Sequence, residues 1–347
     1  MTALLRFNGP VRVVLLLAAI APLGCGTDQA ECVGTEGVEC DVTLPPPDVG
    51  FQLSVESSVA IPPGTEVLRC FWRKVPMDAD ITQITVKYNQ GSHHLDVFSV
   101  PYDMPEGDFD CSDPTQWGVW PSEVAKGLPT DAAMPAMFVG FQNQTFDWTL
   151  PAGVAYRAKA GQQLMIQSHY ANVTDQVTPL RMLDLINFTA TKSSPPNQAE
   201  TLFDEDVDLH IPANSTATFT RICEFPETVN LIGMFGHFHS RGTKFQVFAY
   251  DAATGVQGDL LYTNTNWQDP PWTTSEQWGS PMATRAIRMV TSYTNTENRE
   301  ITWGPYVGEN EHFETYAMFY PRLGLDPLCV CHREGEQPPG VVAGTCP

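Results

Sequence analysis

The chain has 347 residues, of which 42% are hydrophobic and only 17% charged, a length that accommodates two domains with a core each. Its formal net charge is −21, from 40 acidic and 19 basic side chains, and a surface of that sign repels phosphate and excludes nucleic acid as a partner. Pro (29) and Gly (26) are frequent; because both interrupt helices, the composition points to strands and turns.

At the N-terminus, Arg6 and Arg12 flank an apolar run, Val13–Ala21, too short to span a bilayer but suited to an export signal. The segment 1–25 ends in Pro22-Leu23-Gly24-Cys25, which is similar to a bacterial lipobox with Cys25 as the lipidated residue, although Pro22 stands where an apolar residue is usual. The expectation is an exported protein, either a lipoprotein anchored to the outer membrane or a periplasmic or extracellular one. Any attachment to a membrane would run through that lipid. Residues 26–50 are acidic and Pro-rich and read as a tether. Apart from Cys25, eight cysteines remain, an even count that in an exported chain reads as disulfides. Their spacing leaves the connectivity open.

From Phe51 onward the chain runs in short apolar stretches rich in β-branched and aromatic residues, broken by Gly, Pro, Asn and Asp. Examples are FQLSVE, ITQITVKY and QLMIQSHY, then Met182–Ala190. Ser193–Asn197 (SSPPN) marks the best internal boundary, since Pro-Pro continues neither a helix nor a central strand. STATFTRICEF, NLIGMFGHFH, TKFQVFAYD, RAIRMVTSYT, EITWGPY and FETYAMFYP follow. The pattern predicts an all-β protein with two tandem antiparallel β-sandwiches, over residues 51–192 and 198–347.

The 8 histidines are clustered. His237 and His239 are two residues apart, so on a strand both imidazoles reach one ion from the same face. His93 and His94 are adjacent; a regular strand sends them to opposite faces, and a shared ion requires a kink. His169 lies in an apolar run and His312 in a segment ending FYPR. Imidazole sets suit copper, zinc and iron without distinguishing them. A zinc hydrolase is disfavoured, because no carboxylate stands beside the histidines in a general-base motif such as HExxH.

Four ordered motifs carry a resemblance: Ser92-His93-His94, Gln167-Ser168-His169-Tyr170, His237-Phe238-His239, and Ser292–Arg299 ahead of Phe319–Arg322. Together, from about Phe51 to Cys331, they resemble the copper type II, ascorbate-dependent monooxygenases. The resemblance implies two jelly-roll-like β-sandwiches facing each other across a solvent-filled cleft, with one copper ion in each. It carries His93, His94 and His169 onto the electron-transfer copper, and His237 and His239 onto the oxygen-activating copper. Ascorbate is the implied electron donor, O2 the co-substrate, and hydroxylation of a C–H bond in a small organic molecule the implied reaction. The family's third ligand at the second copper is a methionine; the ungapped register puts His312 there, with Met318 as the alternative. Tyr316 and Gln167 inherit catalytic positions. Phe235 and Glu314 inherit substrate positions that hold a carboxylate elsewhere in the family, and a phenyl and an acid there favour an amine or a neutral aromatic substrate. The implied disulfides are Cys70–Cys111 and Cys223 with Cys329 or Cys331, leaving Cys32, Cys40 and Cys346 near the termini. An exported copper-binding or copper-sequestering protein of the same fold, without oxygenase activity, is the alternative function.

Overall fold

Alternating apolar and polar residues make strands of most of the described chain, in a computed structural model that describes residues 42–56, 60–89, 91–100, 103, 105–111, 136–172, 182–324 and 330–336. Cys25, Cys32, Cys40, Cys329 and Cys346 lie outside the described residues. The first half supplies β1 (Gly50–Glu56), β2 (Thr65–Lys74), β3 (Ala79–Tyr88), β4 (Ser92–Val100), β5 (Gly107–Asp110), β6 (Ala136–Phe141), β7 (Thr145–Thr149), β8 (Val154–Ala158), β9 (Gln163–Asn172), β10 (Leu183–Thr191) and β11 (Asn197–Gln198). After residue 199 come β12 (Glu200–Glu205), β13 (His210–Ile211), β14 (Ser215–His237), β15 (Gly242–Asp251), β16 (Val256–Asn264), β17 (Thr273–Thr274), the one-turn helix α1 (Ser275–Trp278), β18 (Met282–Asn295), β19 (Ile301–Thr302), β20 (Glu314–Tyr320) and β21 (Cys331–Arg333).

The strands form a five-stranded sheet (β5-β2-β9-β4-β6), a six-stranded sheet (β1-β10-β3-β8-β11, with β7 on β3), and an eight-stranded sheet (β12-β20-β14-β18-β15-β16, with β17 and β21 on β14). β13 and β19 pair separately. The protein is all-β and its strand pairs are antiparallel, save the short β8–β11 pair. The sheets change membership between β11 and β12, just after the Pro-Pro segment, which lies between β10 and β11.

The five- and six-stranded sheets close on one core, which includes Phe71, Leu95, Val97, Ile84, Val86 and Ile186. Because Leu95 and Val97 point into that core, alternation puts His94, Asp96 and Phe98 on the outer face of β4. Pairing with β9 runs from Ser92↔Tyr170 to His94↔His169, leaving His93 as the extra residue of a β-bulge. A bulge of this kind re-aims a side chain, and it supplies the kink that the adjacent histidines required.

In the eight-stranded sheet, cross-strand partners share a face. Gly233, Phe235 and His237 of β14 stand opposite Met318, Tyr316 and Glu314 of β20, and β12 adds Thr201, Phe203 and Glu205. The other face of this sheet builds a second core with Met234, Ala317, Phe319, Phe245 and Phe313.

Where the resemblance implied a solvent-filled cleft between the halves, the described faces make contact at several points. Phe98 meets Phe203 edge-on at 6.1 Å, Trp148 meets Trp272 at 5.6 Å, and Met318 and Ile232 pack within the first core. The reason is physical: Phe235 and Met318 are buried there and Phe98 and Phe203 partly so, and fully burying a large apolar side chain yields about 1.5–3 kcal/mol.

Disulfides staple each half. Cys70 bonds Cys111 across 5.8 Å between Cα atoms, as expected, and Cys223 bonds Cys331 across 4.0 Å, which selects Cys331 over Cys329. Among the described residues, no helix is long and apolar enough to cross a membrane.

Candidate metal centre

The outer face of β4 and β9 meets the β14–β20–β12 face, and the six motif histidines all lie at that junction. His93 is 5.1 Å from His169 between ring centroids, 5.2 Å from His237 and 5.6 Å from His239. His94 lies 5.0 Å from His169 and 5.5 Å from His237. His312 stacks on His239 at 4.4 Å and lies 5.4 Å from His237. What the sequence presents as two histidine sets forms a single cluster.

β14 ends at His237, and His239 follows in a turn rather than on the strand. Glu311 holds that turn by accepting the backbone N–H groups of His239 (2.8 Å) and Arg241 (2.7 Å). Burial raises the Glu311 carboxyl to about 7, against the backbone donors that lower it. Gly236 gives the turn room, since a Cβ there would sit 2.4 Å from the Phe245 ring.

Every imidazole of the cluster except His93 has a nitrogen beside a polar partner. His237 Nδ1 lies 2.7 Å from Gln142 Oε1, and the Gln142 amide is oriented by donating to the Trp267 carbonyl at 2.6 Å. Its oxygen therefore faces the ring, so His237 carries its proton on Nδ1. His239 Nδ1 likewise faces the Asn310 carbonyl oxygen at 3.1 Å, an acceptor only. His169 Nε2 is 3.2 Å from Glu66 Oε2, which also accepts the Val307 N–H. His94 Nδ1 is 3.0 Å from Asp96 Oδ2, a charge contact without hydrogen-bond alignment. His312 Nδ1 is 2.5 Å from Glu314 Oε1.

On the inward side the pattern reverses. Nε2 of His93, of His237 and of His239 is buried with no hydrogen-bond partner, and these three residues bring ligand atoms within 4.8 Å of one another. An unsatisfied buried polar atom costs about 1–3 kcal/mol, so three converging nitrogens without partners, two of them lone pairs by their tautomer, suit an electrophile. Outer partners that fix the far nitrogen are the usual support of metal-bound histidine. A second group, His237, His312 and Glu314, meets the same distance criterion. The third such group, Asp204 with Cys223 and Cys331, has its sulfurs tied in a disulfide and offers no thiolate.

Burial holds His93, His169, His237 and His239 well below the ordinary imidazole range, and neighbouring imidazoles push the same way. His312 is lowered to about 4, chiefly by burial. His94 is the exception: burial pulls it down, but Asp96, Glu314 and Glu205 more than offset this and its net shift is upward. Neutral imidazoles at pH 7 are the form that binds metal. Burial also raises Glu314 to about 7 and Glu205 well above its ordinary value.

The remaining motif residues fall into place around the cluster. The Tyr316 hydroxyl lies 3.0 Å from Asp96 Oδ1 and 3.2 Å from Glu314 Oε2, joining the two halves. Gly140 admits that ring, since a Cβ there would lie 2.3 Å from Tyr316 Cε1. Phe235 stacks on Tyr316 at 4.1 Å and is buried, as is Glu314; neither faces open space where a substrate would rest. Gln167 stands opposite Asp96 on the face that carries His94 and His169. Met318 is four residues along β20 from Glu314, a distance of roughly 13 Å at strand rise, and packs among apolar side chains of the first core. His210 and His332 lie outside the cluster, paired with Glu300 and Glu224. Sequence reasoning missed Gln142, Asp96, Glu66, Glu205 and Glu311 as partners. Only Asp96, on the same strand face as His94 at spacing i, i+2, and Glu311, adjacent to His312, carried a local signal.

No protein-family model matches the chain, and no curated protein matches it. Solved structures it is similar to include the STIV MCP (TM-score 0.32, 8% identity, 78% of this chain and 97% of that one). PNGF-II (TM-score 0.28, 10% identity, 77% and 65%) and the VP2 subviral particle of infectious bursal disease virus (TM-score 0.21, 8% identity, 78% and 71%) are two more.

Proposed function

We propose that the histidine cluster is a copper centre and that the protein is an exported copper-dependent monooxygenase. The observation that carries the metal reading is the convergence of three buried Nε2 atoms without partners, two of them backed by acceptors that fix the tautomer. Imidazole donors fit copper, zinc and iron; the choice of copper rests on the ordered motifs around His93, His169, His237 and Phe319–Arg322. Bound copper would supply one-electron chemistry toward dioxygen. The overall conversion would place one oxygen atom in a C–H bond of a small organic substrate and reduce the other to water, with two electrons from ascorbate and two protons.

The chain's own residues would bind and orient. Gln142 and Asn310 hold the His237 and His239 rings, Asp96 and Glu66 stand behind His94 and His169, and Tyr316 links Asp96 to Glu314 beside His312. His312, at the position where the family places a thioether, stacks on His239 at 4.4 Å and lies outside the group formed by His93, His237 and His239.

A specific observation favours a second reading, an exported copper-holding protein: His94, His169, His237, His239 and His312 are all 0–4% exposed. A cluster so enclosed suits retention of an ion as well as turnover.

The test is to load the purified chain with Cu(II), measure metal per chain, and follow O2 consumption with ascorbate and a panel of amines and aromatics. Less copper per chain in His237→Ala, with substrate-dependent O2 uptake in the parent, supports the monooxygenase. Tight copper without O2 uptake moves the assignment to the copper-holding protein. Absence of copper binding sinks both.

A further inference from the structure

We infer that His93 parts from its neighbour His94: with His237 and His239 it forms a three-imidazole ion site spanning the two halves of the chain, while His94 and His169 hold a second ion in the same cluster. The inference rests on the copper reading above and deepens it, because it assigns ligands to ions and makes the centre a close pair.

Four observations carry it. First, the unpartnered Nε2 atoms belong to His93, His237 and His239, drawn from both halves, and their ligand atoms lie within 4.8 Å of each other. Second, the bulge between Ser92 and His94 frees His93 from the register that fixes His94 opposite His169, so the adjacent rings need not serve one ion. Third, His94 Nε2 and His169 Nδ1 approach to 3.3 Å. That is about the N···N separation of two imidazoles on one tetrahedral ion with bonds near 2.05 Å, roughly 3.3 Å. Fourth, each pair has its own outer partners: Gln142 and Asn310 for His237 and His239, Asp96 and Glu66 for His94 and His169.

The two ligand sets are neighbours, since His93 lies 5.3 Å from His94 and 5.1 Å from His169 between ring centroids. The first ion would also tie the two halves of the chain together, because its ligands come from β4 on one side and from β14 and the following turn on the other.

Electron paramagnetic resonance of the full chain loaded with Cu(II) reads this directly, beside copper per chain from elemental analysis. The expected result is two ions per chain, with a spin count below the copper content or a dipole-broadened spectrum with a half-field line once the second ion is bound. Two ions giving two sharp, additive signals overturn the inference while leaving the copper reading intact, and so does a single ion per chain. No bound copper overturns the copper reading itself.

The ligand assignment is tested by adding His93→Ala to two backgrounds, with circular dichroism to establish folding. In His237→Ala/His239→Ala, the remaining ion should keep its affinity within about twofold, as for independent sites. In His94→Ala/His169→Ala, the same substitution should weaken the remaining ion by more than the roughly tenfold that even outer partners of a ligand cost. The reverse pattern restores His93 to the His94–His169 set and contradicts the assignment. The spectrum of the unsubstituted chain decides the close pair even if a variant fails to fold.

Discussion

Gln142→Leu is the perturbation that isolates the support of the centre from its ligands. Gln142 binds no ion in this account; its Oε1 accepts from His237 Nδ1 at 2.7 Å, and its amide N–H donates to the Trp267 carbonyl at 2.6 Å. Leucine keeps the side chain's approximate bulk and removes the acceptor, so His237 is free to rotate or to carry its proton on Nε2, the atom that must stay bare. Loss of such an outer partner typically weakens metal binding about 10–100-fold, or about 1.4–2.7 kcal/mol. The lost bond to Trp267 costs about 1 kcal/mol of fold stability, which appears in the metal-free protein and is separable. The assay is competition for Cu(I) with a chromophoric chelator, alongside urea unfolding of the metal-free chain. A folded Gln142→Leu protein that holds copper as tightly as the parent would refute the reasoning, because His237 would then need no orienting acceptor.

Other consequences follow from the same geometry. Met318→Leu conserves volume in the first core, where Met318 packs, and should cost less than about 1.5 kcal/mol with copper affinity unchanged; a sharp loss of copper would make Met318 a ligand. Gly140→Ala forces a Cβ to 2.3 Å from Tyr316 Cε1 and 2.7 Å from Asp96 Oδ1, and should lower stability by about 1–3 kcal/mol in urea unfolding; unchanged stability would mean the Tyr316–Asp96 bond is not held there. Asp184 accepts from Ser168 and Tyr170 behind the His169 strand, and burial raises its carboxyl from 3.8 to about 7. The folded state keeps a proton that the unfolded chain loses, so Asp184's contribution is complete below about pH 4 and falls, by at most about 4 kcal/mol, as pH rises through 7. Asp184→Asn should flatten that slope in unfolding measured across pH 4 to 8, and a slope equal to the parent's would show that Asp184 titrates normally.

Much of the strand content was legible because alternation survives in the residues themselves: QLMIQSHY becomes β9 and FETYAMFYP becomes β20. β2 escaped notice, although it pairs with the whole of β9. Its charges, in TEVLRCFWRK, hide the alternation of Leu68, Cys70 and Trp72. EITWGPY was read as a full strand and yields only Ile301–Thr302, since Gly304 and Pro305 end it. At the centre, His-x-His and His-His announced themselves by spacing. Which histidine meets which could not be read there, because that depends on a one-residue bulge at His93 and on contact between two sheets distant in sequence. Gln142 and Glu66 are separated from the histidines they support by 95 and 103 residues, and no local pattern singles them out. The contacts between the faces were illegible for a related reason: the resemblance concerned motifs, while the apolar character of Phe98, Phe203 and Phe235 brings the faces together at those points.

X-ray absorption at the copper edge, on the copper-loaded chain after reduction, tests the central claim most directly, because it reports the atoms bound to the ion. A shell of nitrogen with the outer-shell scattering of imidazole, and no sulfur, is the expected result. A Cu–S contribution, or a shell of oxygen without imidazole, would contradict the histidine centre.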